Sequence, residues 1–355
     1  MRDFIKKLSD ARGVSGFEYR MSDIIKERLT PVADEIHTDI LGNIIAVKRS
    51  GSENAKSIMI EAHMDEVGLM VLDTDENGFI LFTNIGGIDL RTLPSAEVTV
   101  HGKKDVWGVV GAKPPHLQSA GEDKKGIKIT DLSIDTGLTA EEVKKLVSVG
   151  DSITINSEFS ELGSLICGKS LDDRVGAAAV CDVFERLGRI NLDLDVYAVF
   201  AVQEEVGSRG AKVSANALKP DMAIVIDVTH GLTPDNPDNG FKTGSGVAVA
   251  KGPNINPELF DKVTETAKRY NIKTELEIEG GDTGTDAWVT QTAAGGIPTV
   301  LLSVPLKYMH TSVETMDIKD LYALSNLITL FIQDYAGLYR LDRLGDFRVG
   351  QRPLR

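Results

Sequence analysis

With 355 residues and 42% hydrophobic content, the chain can bury a large core and divide into two domains. Its 53 acidic residues against 39 basic ones give a formal charge of −14, the wrong sign for a protein that tracks nucleic-acid phosphates. No apolar run reaches the length of a membrane span and Met1 to Lys7 form no apolar signal segment, so no membrane partner and a cytoplasmic location are expected.

Phe4, Ile5, Leu8 and then Met21, Ile24, Ile25, Leu29 recur at helical spacing around Gly13-Val14-Ser15-Gly16, which predicts two amphipathic helices and a glycine turn. Strands are expected over 44–47 and 57–62, the second leading into His63. Asp65 follows two residues on, and in an extended chain that spacing sets both side chains on one face. A ligating imidazole needs its second ring nitrogen held, so His63 and Asp65 read as a metal ligand and its supporting carboxylate. From about Leu69 to Leu162, short alternating strands (68–72, 79–82, 96–100, 106–110, 152–155) and one helix over 139–147 predict a small β-barrel or sandwich. Residues 108–116 and 121–126 read as surface loops on it.

From Leu165 an α/β rhythm returns. A helix is expected over 175–187, followed by strands over 196–202 and 222–226, a helix over 257–269, a strand over 297–304 and a helix over 317–335. The strands are nearly continuous apolar runs, as in a sheet covered on both faces. The expected fold is therefore α/β: a mixed, mostly parallel sheet flanked by helices, built from residues 1–68 and 163–355, with a β domain inserted at 69–162. Residues beyond Arg340 show little periodicity. Cys167 and Cys181 have neither disulfide nor thiolate-zinc spacing and read as small core residues.

Each apolar strand of the α/β part ends near an ionisable side chain: His63, Gln203-Glu204-Glu205, Asp227 and, a few residues further on, Tyr308-Met309-His310. Ligands bind beyond the carboxyl ends of strands in open α/β sheets, so these ends would meet in one crevice, with Asp172 at the mouth of the following helix able to join them. Two histidines and at least three carboxylates form a nitrogen and oxygen set suited to zinc, cobalt or manganese. That set exceeds the needs of one catalytic zinc and suits two metals sharing a carboxylate. His37, His101 and His230 lack such a setting and read as structural or surface residues, and His116 as a loop residue.

Together, Glu61-Ala62-His63-Met64-Asp65-Glu66-Val67-Gly68, Leu171-Asp172-Asp173-Arg174-Val175-Gly176, Gln203-Glu204-Glu205-Val206-Gly207, Ile226-Asp227 and Tyr308-Met309-His310 resemble the dinuclear metallo-aminopeptidases of the glutamyl and deblocking, or TET, family. The resemblance implies a zinc-peptidase α/β domain and an inserted β domain that mediates dimerisation, with assembly into a tetrahedral dodecamer. It implies two divalent ions per subunit, zinc or cobalt: one held by His63 and Asp227, the other by Glu205 and His310, with Asp172 bridging. It further implies a cis peptide after Asp172, Glu204 as catalytic base and Asp65 as support for His63. Lys307 before the aromatic and Thr311-Ser312 after His310 depart from the family's arginine and Ser-Pro, which concerns the adjoining pocket.

The activity so implied is removal of N-terminal residues from short peptides. Gly284, Thr285 and Asp286, in the glycine-rich run 280–287, are candidate substrate-binding residues. A glycoside hydrolase is the alternative, since members of this family carry the endoglucanase label, but a carboxylate-pair mechanism leaves His63 and His310 without a task. A catalytically silent metal-bound assembly protein is the other alternative, and Glu204 argues against it.

Overall fold

The computed structural model describes residues 1–53, 55–117 and 126–343. Most of the expected loop 121–126 and the tail from residue 344 lie outside them. Helices α1 (Arg2–Asp10) and α2 (Tyr19–Leu29) open the chain on either side of Gly16, whose φ of +87° suits glycine. Strands β1 (Glu35–Thr38), β2 (Ile44–Lys48) and β3 (Lys56–His63) follow.

Directly after β3 the chain enters a closed antiparallel barrel made of β4 (Gly68–Thr74), β5 (Ile80–Ile85), β6 (Glu97–His101), β7 (Asp105–Ala112), β8 (Leu132–Asp135) and β9 (Ser152–Ile155). Its strand order is β4-β5-β8-β7-β6-β9, with α3 (Ala140–Leu146) between β8 and β9. Inward residues such as Leu69, Val71, Phe82, Val98, Ile134 and Ile153 form a core separate from the main one. The expected strand 106–110 lies within β7, which also takes in residues 111 and 112 of the overlapping expected loop. A Cβ on Gly108 would stand 2.7 Å from Ile134 Cγ2, so this glycine serves close packing against β8 rather than a turn.

The second half supplies β10 (Ser160–Leu162), β11 (Leu165–Gly168), α4 (Leu171–Leu187), β12 (Leu194–Ala201), α5 (Arg209–Leu218), β13 (Met222–His230) and β14 (Val247–Lys251). Then come α6 (Pro257–Arg269), β15 (Thr274–Ile278), α7 (Ala287–Thr290), β16 (Thr299–Leu306), β17 (Glu314–Asp317) and α8 (Ile318–Arg343). The main sheet runs β1-β2-β12-β3-β13-β16-β14-β15, and the four strands β12, β3, β13 and β16 are mutually parallel. Alternation sorts its residues between two layers. Ile58, Ile60 and Ala62 of β3 share a core with α1, α2, α4, α6 and α8, whereas Met59 packs with Ala215 of α5 and Ala293. The mixed α/β fold is thus the one expected, and it delivers the carboxyl ends of the parallel strands to one edge.

Candidate metal centre

His63 is the last residue of β3 and pairs with Ala201 at the end of β12. Past β12, Gln203 takes a left-handed φ of +58°, and the turn that follows is closed by the Glu204 carbonyl, which accepts from the N–H groups of Gly207 and Ser208. Asp227 sits within β13, which continues to His230 rather than stopping at Ile226, and it pairs with Ser303 on β16. Asp172 occupies the first turn of α4, where its φ and ψ of −75° and 112° are not yet helical. The Asp172–Asp173 peptide is cis. His310 stands on the turn after β16, again left-handed at φ +60°. Left-handed non-glycine residues are uncommon, and here they flank the side chains that converge.

These residues form two groups whose ligand atoms lie within 4.8 Å of one another: His63, Asp172 and Asp227 in one, and Asp172, Glu205 and His310 in the other. Asp172 belongs to both. Its Oδ1 is 3.1 Å from His63 Nε2 and its Oδ2 is 3.4 Å from His310 Nε2, which also lies 3.3 Å from Glu205 Oε2. Both imidazoles turn Nε2 inward with Nδ1 facing an acceptor: that of His63 lies 3.4 Å from Asp65 Oδ1, an ion-pair distance without hydrogen-bond geometry, and that of His310 is 2.6 Å from the Gly87 carbonyl oxygen. Holding the outer nitrogen fixes the tautomer that presents a lone pair at Nε2. Asp65 is fully buried, accepts from Ser15 Oγ at 2.6 Å, and also accepts the backbone N–H groups of Glu204 and Glu205 at 3.0 and 3.2 Å.

The electrostatics describe a site short of positive charge. Burial and the neighbouring Asp172 push the Glu205 carboxyl up to about 9. Burial, with Asp286 and Asp65 adding against the opposing His63, pushes Glu204 up to about 8. Asp227 is driven well above the carboxylate range by burial and by Asp173 and Asp172. Against the same burial, the imidazoles of His310 and His63 hold Asp172 below its ordinary value. Divalent cations would relieve this deficit, and a nitrogen and oxygen donor set without sulfur suits zinc, cobalt or manganese. The residues therefore fit a metal pair.

One partner escaped the sequence reasoning. Glu314, 2% exposed on β17, accepts the N–H of His310 at 2.8 Å and that of Asp172 at 3.1 Å, so a single carboxylate pins the backbone of a residue from each group. Only the four-residue offset from His310 could have signalled it. The groups open on a cavity of about 410 Å³. Gly284 and Thr285 line it, but Asp286 does not: it is 1% exposed, packed into the core and electrostatically coupled to Glu61 of β3. His230, read as structural or surface, lines the cavity because β13 runs on past Asp227. His101 is a structural residue, with Nδ1 2.9 Å from Asp105 and Nε2 2.9 Å from Thr154.

Comparison with known proteins identifies the family. The family model described as M42 glutamyl aminopeptidase matches residues 42–327. A lysyl aminopeptidase of Pyrococcus furiosus is 36% identical across 90% of this chain and 92% of its own. An aminopeptidase of the archaeon Desulfurococcus kamchatkensis superposes with a TM-score of 0.87 at 33% identity, covering 98% of both chains. The TET1 peptidase of Pyrococcus horikoshii, described as assembling into a tetrahedron or a large octahedral shell, does so at 0.82 and 33% identity over 93% of this chain and 98% of its own. By family match, relatedness along nearly its whole length and shared fold, this chain is a member of the M42 glutamyl aminopeptidase family.

Proposed function

We propose that the chain is a dinuclear metallo-aminopeptidase that removes the N-terminal residue of short peptides. The observation that carries this reading is Asp172, which offers one oxygen to each of two ligand groups. His63 and Asp227 would hold one ion and Glu205 and His310 the other, with Asp172 between them. Two divalent ions, zinc or cobalt, would lower the pKa of a water from 15.7 to about 7 and polarise the scissile carbonyl.

The rest is the work of this chain's own side chains. Glu204 lines the cavity outside both ligand groups, where bound cations would favour its ionised form, able to take the water's proton and return it to the leaving amine. Asp65 positions it through the Glu204 N–H while holding His63 through Nδ1. Gly284 and Thr285 border the space for the N-terminal side chain. The relative's name is lysyl and the family's is glutamyl, so membership alone does not fix which residue is removed.

Residues 69–162 are proposed as an inserted domain that mediates dimerisation. Exposed Leu72, Phe79 and Leu81 at β4 and β5 support a contact there, and the shells described for the Pyrococcus horikoshii relative support a homo-oligomer that reaches a tetrahedral dodecamer. A cytoplasmic setting agrees with two buried free cysteines, and no helix among the described residues is long and apolar enough to cross a membrane. The test is hydrolysis of aminoacyl anilides before and after chelation, with bound metal counted by elemental analysis and size by sedimentation. Two ions per chain and activity restored by zinc or cobalt are expected. One ion per chain, or activity indifferent to chelation, overturns the reading.

A further inference from the structure

The cavity beside the ligand groups holds more negative charge than a metal pair would use. Asp172, Asp227, Glu205 and Glu204 together match two divalent ions, yet Glu277, Glu279 and Asp282 also line it. No lysine or arginine lines it among the described residues.

Glu277 stands out among the three. It is 9% exposed, its Oε1 accepts from Thr229 Oγ1, and no hydrogen-bond or ion-pair partner meets its Oε2 among the described residues. Thr229 lies two residues beyond Asp227 on the same face of β13, roughly 7 Å along the strand. The acidic wall thus begins about one long side chain from the ligand Asp227. Leu301 and Met309 also line the cavity and give an aliphatic stem something to pack on.

We infer that this cavity receives the side chain of the peptide's N-terminal residue and selects a basic one, lysine or arginine, with Glu277 and Glu279 as the specificity-determining carboxylates. This rests on the aminopeptidase reading of the same site. An ammonium or guanidinium head would supply a counter-charge to Glu277, which among the described residues has only the neutral Thr229 hydroxyl. A leucyl residue would shut water out and leave that carboxylate uncompensated, and a glutamyl residue would add a like charge beside it. Burial and the neighbouring Glu279 raise the Glu277 carboxyl against the Thr229 hydroxyl, and a cation seated beside it would favour the ionised form.

The experiment measures kcat/KM of the metal-loaded protein on lysyl, arginyl, leucyl and glutamyl anilides, together with calorimetric binding of lysinamide and norleucinamide. The basic substrates should exceed leucyl by about tenfold and glutamyl by about a hundredfold, and lysinamide should bind about tenfold tighter. Glu277→Gln and Glu279→Gln should each lower the lysyl-to-leucyl ratio by about tenfold. Glu279 is only partly buried, so its variant decides the matter should the change at Glu277 depress the thermal melt. Leucyl or glutamyl cleavage at or above the lysyl rate, or a ratio unmoved by both substitutions, overturns the inference while leaving the aminopeptidase intact. If no anilide is cleaved with any metal, the aminopeptidase reading fails, and the two amides still decide the cavity: equal binding overturns its selectivity.

Discussion

Asp65 receives the N–H of Glu204 on one oxygen and that of Glu205 on the other, so two adjacent glutamates leave the strand end in fixed and different directions. Glu205 meets His310 and Asp172, and Glu204, whose Oε1 accepts from Ser208 Oγ at 3.4 Å, lines the cavity outside both groups. Glu204→Gln should keep the full metal content and lose turnover by about 10²-fold or more, whereas Glu205→Ala should lose metal; elemental analysis beside a kinetic assay separates them. Full activity in Glu204→Gln would place the base elsewhere. Glu314→Ala should weaken metal binding by about 10–100-fold, read by competition with a chromogenic chelator, because two ligand backbones lose a shared acceptor. That His63, Asp172, Glu205, Asp227 and His310 converge and that Glu204 lines the same cavity was legible in the sequence, because each sits at or just beyond an apolar element. Glu314, Gly87 and Glu277 were not, since what they do depends on which way a side chain or carbonyl points after distant elements have packed. Asp286 shows the converse: a suggestive motif position that folding turns into the core.

Among the elements, α4 matters most, because its first turn carries Asp172. That turn is anchored by a buried ionic cluster in which Glu66 Oε2 lies 2.6 Å from Lys169 Nζ and Oε1 lies 2.9 Å from Arg174 Nη2. Arg174, fully buried, also donates to the Leu8 carbonyl at 2.8 Å, tying in the end of α1. Burial alone would raise the Glu66 carboxyl, but Arg174 and Lys169 bring it down to about 2. A depressed carboxyl stabilises the fold above its ordinary value of 4.5 and ceases to do so as the pH falls towards 2. Glu66→Gln should therefore cost about 3–5 kcal/mol at pH 7, since two buried cations lose their anion, and the difference from wild type should shrink below about pH 4 in denaturant titrations. A gap that persists unchanged at pH 3 would show that packing, not charge, was lost. Elements differed in legibility for similar packing reasons. Strands β2, β3, β12, β13 and β16 are apolar on both faces and declared themselves. The edge strands β1 and β15 are half solvated, reading Glu-Ile-His-Thr and Thr-Glu-Leu-Glu-Ile, and gave no clear signal. Helix α5 was missed because it packs through Gly210, Ala211 and Ala215 rather than through large apolar residues, with Gly210 pressed against Asn43 and Val202.

At the scale of the whole molecule, the candidate centre is where separately built parts meet. Strands β3, β12 and β13, the first turn of α4 and the turn after β16 bring ligands, while the segment leaving barrel strand β5 brings the Gly87 carbonyl that orients His310. Bound cations would therefore hold the sheet, the helix and the barrel together, and their removal should be felt as global stability. Without them the cluster keeps its protons: Glu204 and Glu205 are raised to about 8 and about 9, and His310, despite burial, to about 9 by Asp172 and Glu205. The sign follows from linkage. Groups whose folded pKa lies above the unfolded value give stability that is complete below the unfolded pKa and is lost as the pH rises through the folded one. The chelated protein should therefore melt at progressively lower temperature as the pH is raised from about 6 to about 9. Saturating zinc or cobalt, which requires the carboxylates and imidazoles deprotonated, should bind with proton release and reverse that slope, because metal affinity rises over the same range. At a free metal concentration of about 100 times Kd the loaded form should gain about 2.7 kcal/mol for each independent site. Parallel thermal melts of chelated and loaded protein across this range provide the check, and two profiles of the same slope would mean that the clustered carboxylates and imidazoles do not share their protons with a metal.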